Sequence, residues 1–196
     1  MQNIYVTSDT HFYHPNIVLG ITKWRDEQGN IPIGSVRDFP TLESMNEALI
    51  TNINNTVGRD DILYHLGDVA FCRKFKILDE VFNRINCKNK YLLLGNHDKP
   101  IKKNLLSLSN GFLYITERVY INHNGSIVYM EHHPPTNPDD LMDNEYFLYG
   151  HKHSKGENRF EYYRSMDVGV CGSETFSPYL LDDVLKEIDT RCTKVV

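Results

Sequence analysis

Nine histidines stand in this chain of 196 residues, and they are grouped rather than spread: His11 and His14, His65, His97, His123, His132 and His133, and His151 and His153. Several have a carboxylate or amide beside them. Asp9-Thr10-His11, Gly67-Asp68, Gly95-Asn96-His97-Asp98, His132-His133 and His151-Lys152-His153 mix imidazoles with carboxylate and amide oxygens. That donor set suits Mn, Zn, Fe and similar divalent ions, and no thiolate takes part. Residues two apart on a strand face the same side, so Asp9 and His11 can point at one ion. His151 and His153 repeat the spacing. Any one group alone is as well explained by a cap or a turn. Taken together, six or seven direct ligands are too many for one tetrahedral zinc and suit two ions sharing a carboxylate, an arrangement used for phosphoester hydrolysis.

Short apolar runs lead into these groups. Ile4-Tyr5-Val6 runs into Ser8-Asp9, Ile62-Leu63-Tyr64-His65-Leu66 into Gly67-Asp68, and Tyr91-Leu92-Leu93-Leu94 into Gly95-Asn96-His97-Asp98. Their near-continuous apolar character predicts strands buried on both faces, with the polar residues at C-terminal strand ends, where open α/β sheets bind ligands. Between them, Leu42, Met45, Leu49 and Ile53 keep helical spacing behind the cap candidates Thr41 and Ser44. Phe75, Ile77, Leu78, Val81, Phe82 and Ile85 predict a second amphipathic helix. Further on, the runs 112–121 and 126–131 flank Asn122-His123-Asn124-Gly125, a hairpin signal, and strands are expected at 146–149 and 166–170. A last helix is expected over 178–188, with Ser177 as cap and Pro178 at its first position. The order is β-α-β-α-β, then mainly β, which is a layered α/β domain. Residues 20–40, with three glycines and two prolines, read as a long loop inserted near the site, either a lid or a surface excursion.

Size and charge bound the rest. A chain of 196 residues and 22.8 kDa fits one domain, 1–196. Hydrophobic residues at 40% and charged residues at 24% exclude a disordered or fibrous chain. With 21 Lys and Arg against 26 Asp and Glu, the net charge of -5 and the lack of a basic run argue against a dedicated nucleic-acid-binding surface. Cys72, Cys87, Cys171 and Cys192 form no CxxC pair, so they read as idle thiols in a reducing compartment. No basic leader precedes an apolar stretch, and no run approaches the ~20 apolar residues of a membrane span. The expectation is a cytoplasmic, soluble protein without membrane partners.

The five blocks resemble, in order and over positions 9 to 153, those of the calcineurin-like metallophosphoesterase family. The stretches Ser8-Asp9-Thr10-His11-Phe12-Tyr13-His14-Pro15-Asn16-Ile17 and Tyr64-His65-Leu66-Gly67-Asp68 are most similar to its small single-domain bacterial and phage members. The resemblance implies a four-layer α/β/β/α sandwich with metals at the strand ends. It implies a metal-dependent phosphoric ester hydrolase with two divalent ions, Mn2+ first, with Zn2+, Fe2+ or Fe3+, Ni2+ and Mg2+ as alternatives. Asp9, His11 and His153 match the ligands of one ion, Asn96, His132 and His151 those of the other, and Asp68 the carboxylate shared between them. His132 is preferred to His133 on the family's His-x-Pro pattern, matched by His132-His133-Pro134.

His97 matches the histidine that faces the substrate, where an imidazolium stabilises the oxyanion or protonates the leaving alkoxide after attack by a bridging hydroxide. Asp98 is read either as the group that orients His97 or as a cap. Arg37 stands where small members carry an Arg-Pro-Phe turn and is a candidate for the substrate phosphate; His14 is a candidate pocket residue. One departure is clear: the protein phosphatase branch has GDxxDR, and here the second block reads Gly67-Asp68-Val69-Ala70-Phe71-Cys72-Arg73, without the second acid. A protein phosphatase is therefore disfavoured. The expected reaction is hydrolysis of a phosphodiester in a nucleotide or other small phosphoester, with a phosphomonoesterase and a non-catalytic metal-binding scaffold as the alternatives.

Overall fold

A computed structural model of the chain describes residues 2–32, 36–71, 75–103, 111–137 and 140–192, with the side chains of 75–77, 100 and 103 left aside. The three apolar runs form the parallel strands β1 (Ile4–Thr7), β2 (Ile62–His65) and β3 (Asn89–Leu93). β4 (Tyr114–Thr116) extends this sheet in parallel beyond β3, and β9 (Tyr179–Leu180) pairs antiparallel with β1, giving the order β4-β3-β2-β1-β9. The second sheet has the order β5-β6-β7-β8. In it β5 (Arg118–His123) and β6 (Ser126–Glu131) are an antiparallel hairpin, and β7 (Glu145–Tyr149) and β8 (Ser165–Asp167) run parallel to β6 and to each other. Asn124 and Gly125 both have positive φ, as a tight two-residue hairpin turn requires.

Strand alternation sends side chains to two cores. Leu63 and Leu92 face α1 (Leu42–Thr56) and α2 (Phe75–Arg84), where Met45, Leu49, Ile50, Ile53, Leu78, Val81 and Phe82 are buried. Val6, Tyr64 and Leu93 face the other way and meet Val128, Met130, Leu148 and Met166 of the second sheet. The apolar face of α4 (Leu181–Cys192), with Leu181, Val184, Leu185 and Ile188, seals this second core beside β1, β8 and β9. Two parallel-rich sheets flanked by helices are the layered arrangement expected. At the start of α1 the Thr41 hydroxyl accepts from Ser44 N–H at 3.1 Å, and the Ser44 hydroxyl accepts from Thr41 N–H at 3.2 Å. Such a capping box contributes about 1 kcal/mol.

Two boundaries differ from expectation. The run 112–121 is divided: β4 belongs to the first sheet and β5 to the second, so the chain crosses between sheets at Glu117. The last helix begins at Leu181 instead of Pro178, because Tyr179 and Leu180 pair with Val6 and Tyr5; Asp182 and Asp183 then occupy its first turn. The described parts of 20–40 hold no helix or regular strand, and the base of this excursion is closed by Leu19 N–H to the Arg37 carbonyl and Gly20 N–H to the Phe39 carbonyl. Cys72 lies outside the described residues. Among these residues no helix is long and apolar enough to cross a membrane.

Candidate metal centre

The parallel pairing of β1 and β2 continues past the strands. Asp9 N–H donates to the Gly67 carbonyl, His11 N–H to Asp68 and Phe12 N–H to Val69, so the two loops advance side by side. Asn96 to Asp98 follow β3, His132 follows β6, and His151 to His153 follow β7. Gly150 N–H donates to the His132 carbonyl within the second sheet, and Val170 N–H donates to the Ser8 carbonyl, which ties the two sheets together at the same end. Close approach is obligatory here: a Cβ on Gly150 would collide with Ser8 Oγ and Asp9 Oδ2, and one on Gly95 with Asp68. Asp9, His11, Asp68, His151 and His153 all have left-handed backbone, with φ between 47° and 72°. Such φ values are uncommon for residues other than glycine and cluster at functional sites.

Asp68 lies at the middle of the group. Its Oδ2 is 3.7 Å from His11 Nε2, 3.4 Å from His132 Nε2 and 3.9 Å from His97 Nε2. On one side His11 Nε2 and His153 Nε2 face each other at 3.1 Å, with Asp9 Oδ1 3.8 and 3.6 Å away. On the other side His132 Nε2 lies 3.0 Å from Asn96 Oδ1. Buried Asp9 Oδ1 has no hydrogen-bond partner among the described residues. An oxygen so placed is costly unless a cation completes it, and the converging imidazoles and carboxylates fit a divalent ion.

The surroundings fix these side chains. His132 Nδ1 lies 2.8 Å from the Leu66 carbonyl and so carries the proton, leaving Nε2 turned to Asp68. His153 Nδ1 lies 3.5 Å from Cys171 Sγ. Burial pushes the Asp9 carboxyl up to about 6, against the lowering effect of nearby His153. Burial and the neighbouring His153 charge hold His11 well below the ordinary imidazole range. For Asp68 burial opposes ionisation, yet the His132 contact outweighs it and keeps the carboxyl below the usual range. His132 itself is lowered by burial, but the same contact brings it up to about 8.

The nine residues picked out for the metal groups and for His97 and Asp98 gather at one end of the two sheets. Two of the candidate roles need correction. Arg37 is buried at 1% exposure and does not face the open cleft; its guanidinium donates to the carbonyls of Thr10 at 2.7 Å and Asp9 at 2.5 Å, with Nε 3.4 Å from Cys171 Sγ. It supports the first loop from behind. Asp98 is equally buried and does not orient His97: its oxygens accept the N–H groups of Asp68 and Gly95 at 2.8 Å and of Val69 at 3.0 Å. It fastens the second loop to the third, and burial raises its carboxyl to about 6. The His97 ring is partly exposed and lies edge-on to Phe71, and His14 stacks on the same Phe71 ring at 4.3 Å between centroids. His14 thus stays at the rim, 5.5 Å from the His11 ring.

Three supporting residues escape a reading of motifs. His65 Nδ1 accepts from Gly67 N–H at 3.2 Å, so Nε2 carries the proton and faces Thr10 Oγ1 at 2.9 Å, which in turn donates to the Val69 carbonyl. One neutral imidazole therefore links the first two loops. Buried Asp167 accepts Ser154 N–H and Gly169 N–H and holds the loop that carries His153. Phe71 occupies the place of the absent second acid. Asp167 lies inside the run expected as a strand at 166–170, so none of the three carried the strand-end signal used for the other acids.

A cluster of oxygen and imidazole donors at the C-terminal ends of strands in a two-sheet α/β fold defines the class of metal-dependent phosphoric ester hydrolases. The chain belongs to the calcineurin-like phosphoesterase family, whose pattern it matches over residues 2–181. It is 29% identical over 194 residues to the uncharacterized protein MJ1445 of Methanocaldococcus jannaschii, a match covering 96% of this chain and 93% of that protein. Its fold is similar to that of the protein of unknown function AQ665 from Aquifex aeolicus, with a TM-score of 0.68 and 23% identity over 96% of this chain and all of that one. A novel archaeal phosphodiesterase aligns with a TM-score of 0.46 and 20% identity over 89% of this chain and 88% of its own.

Proposed function

We propose that this chain is a two-ion phosphodiesterase acting on a small, nucleotide-like phosphoester in the cytoplasm, with Mn2+ as the first ion to test. The observation that carries the reading is the Asp68 carboxylate, which lies between His11 on one side and His132 on the other. Asp9, His11 and His153 would hold one ion, Asn96, His132 and His151 the other, and Asp68 both. When bound, such ions polarise phosphoryl oxygens and lower the pKa of water. The protein's own part is positional. Asp68 Oδ1 accepts His97 N–H at 2.8 Å, which fixes the turn that presents the His97 ring. In hydrolysis a water oxygen forms the new bond to phosphorus and gives its proton to solvent, the ester P–O bond breaks, and His97 supplies the proton that the leaving alkoxide takes up and is reprotonated from solvent. A cavity of about 390 Å3 beside Asn96, His132 and His133, lined also by Lys99, Lys102 and Arg118, gives room for a small leaving group.

The test is turnover of bis(p-nitrophenyl) phosphate and p-nitrophenyl phosphate with Mn2+ or with EDTA. Diester turnover that EDTA abolishes is the expected result. Faster turnover of the monoester replaces this reading with a phosphomonoesterase. No turnover of either, or of a nucleotide panel, by metal-loaded protein leaves only the scaffold reading.

A further inference from the structure

His133 holds no ion in the function proposed above, yet it stands in a group of three imidazoles. Its ring centroid is 4.9 Å from that of His132 and 4.7 Å from that of His151, and the latter two are 5.2 Å apart. One nitrogen from each lies within 4.8 Å of the other two. The three differ in freedom. His132 is buried and anchored through Nδ1 to the Leu66 carbonyl, whereas His133 and His151 are exposed and can turn about their side-chain bonds. Zinc with Zn–N near 2.0 Å brings neighbouring nitrogens to roughly 3 Å of one another. The two exposed rings, His133 and His151, are the ones that must turn to reach that spacing.

The donor chemistry also differs between the two sides of Asp68. Beside the shared Asp68, one side has Asp9 with two imidazoles, His11 and His153, whereas the other has Asn96 with His132 and His151 and gains a third imidazole if His133 joins. Imidazole favours Zn, Cu, Fe and Ni, while carboxylate and carbonyl oxygens favour Mg, Ca and Mn.

We propose that His133 completes a three-imidazole site with His132 and His151 for the second ion, and that it makes this position select Zn2+ over Mn2+. The inference rests on the assignment of His132 and His151 to that ion. It is tested by titrating metal-free protein with Zn2+ and with Mn2+ against a chromophoric chelator, and by recording the visible spectrum of the Co2+-loaded protein. His132→Ala is expected to lose one ion per chain. His133→Ala is expected to retain that ion but bind its Zn2+ about tenfold or more weakly, with a Mn2+ affinity changed less than threefold and a shifted Co2+ band. His133→Gln, which keeps a polar side chain of similar reach, is expected to behave like His133→Ala. The inference is overturned if Zn2+ binds both His133 variants within threefold of the wild type and the Co2+ band stays in place, or if Mn2+ affinity falls as far as that of Zn2+. If His132→Ala loses no ion, the parent assignment fails and this inference with it.

Discussion

Asp68 gathers more of the chemistry than any other side chain, since three imidazole nitrogens lie within 3.9 Å of one of its oxygens. Asp68→Asn is therefore expected to lose metal and activity together, with bound metal measured by elemental analysis. His97→Ala is expected to keep its metal and lose about 10²–10⁴ of rate, the usual worth of a positioned acid or base; full retained rate excludes the role given to His97. Arg37→Met leaves the Asp9 and Thr10 carbonyls without their buried donors, and we expect a loss of about 3 kcal/mol in urea unfolding. The metal-donor candidates were readable in the sequence because donor type and block order carry the information. Arg37 was misread, and Asp98 was left open between two roles, for a physical reason: a charged side chain beside a site looks the same in sequence whether it faces solvent or is turned inward onto backbone groups.

The loops after β1 and β2 are one unit, and His65 is the neutral link between them. Burial lowers its pKa from 6.5 to about 3. The unfolded chain takes up this proton first, so the contribution of His65 to stability is complete above pH 6.5. It is lost as pH falls from 6.5 toward 3, by at most about 1.4 kcal/mol per unit. His65→Gln removes that dependence, so the stability gap between wild type and variant is expected to narrow in acid; a gap constant from pH 7 to 4 refutes the neutral link. Elements built from local pattern were readable in advance: β1, β2, β3, α1 with its capping box, and the hairpin at Asn124-Gly125. The division of 112–121 between two sheets and the late start of α4 were not, because they depend on β4 pairing with β3 and β9 with β1, neither of which is its hairpin neighbour in the chain.

At the scale of the molecule, the site lies where both sheets end, so a bound ion joins segments from both. Metal removal is expected to lower the melting temperature; an ion present at 1,000 times its dissociation constant contributes about 4 kcal/mol, and calorimetry with and without EDTA measures it. The left-handed backbone at Asp9, His11, Asp68, His151 and His153 has a consequence for heat resistance. Each such residue costs about 1–2 kcal/mol when it has a Cβ, so the native chain gives up stability to aim its donors. At His153 the ordinary ranking of small residues should then invert: with metal absent, His153→Gly is expected to melt above His153→Ala by about 1 kcal/mol of stability, although glycine is normally the more costly of the two. A lineage that no longer needed the chemistry would gain thermal endurance by letting glycine replace these donors.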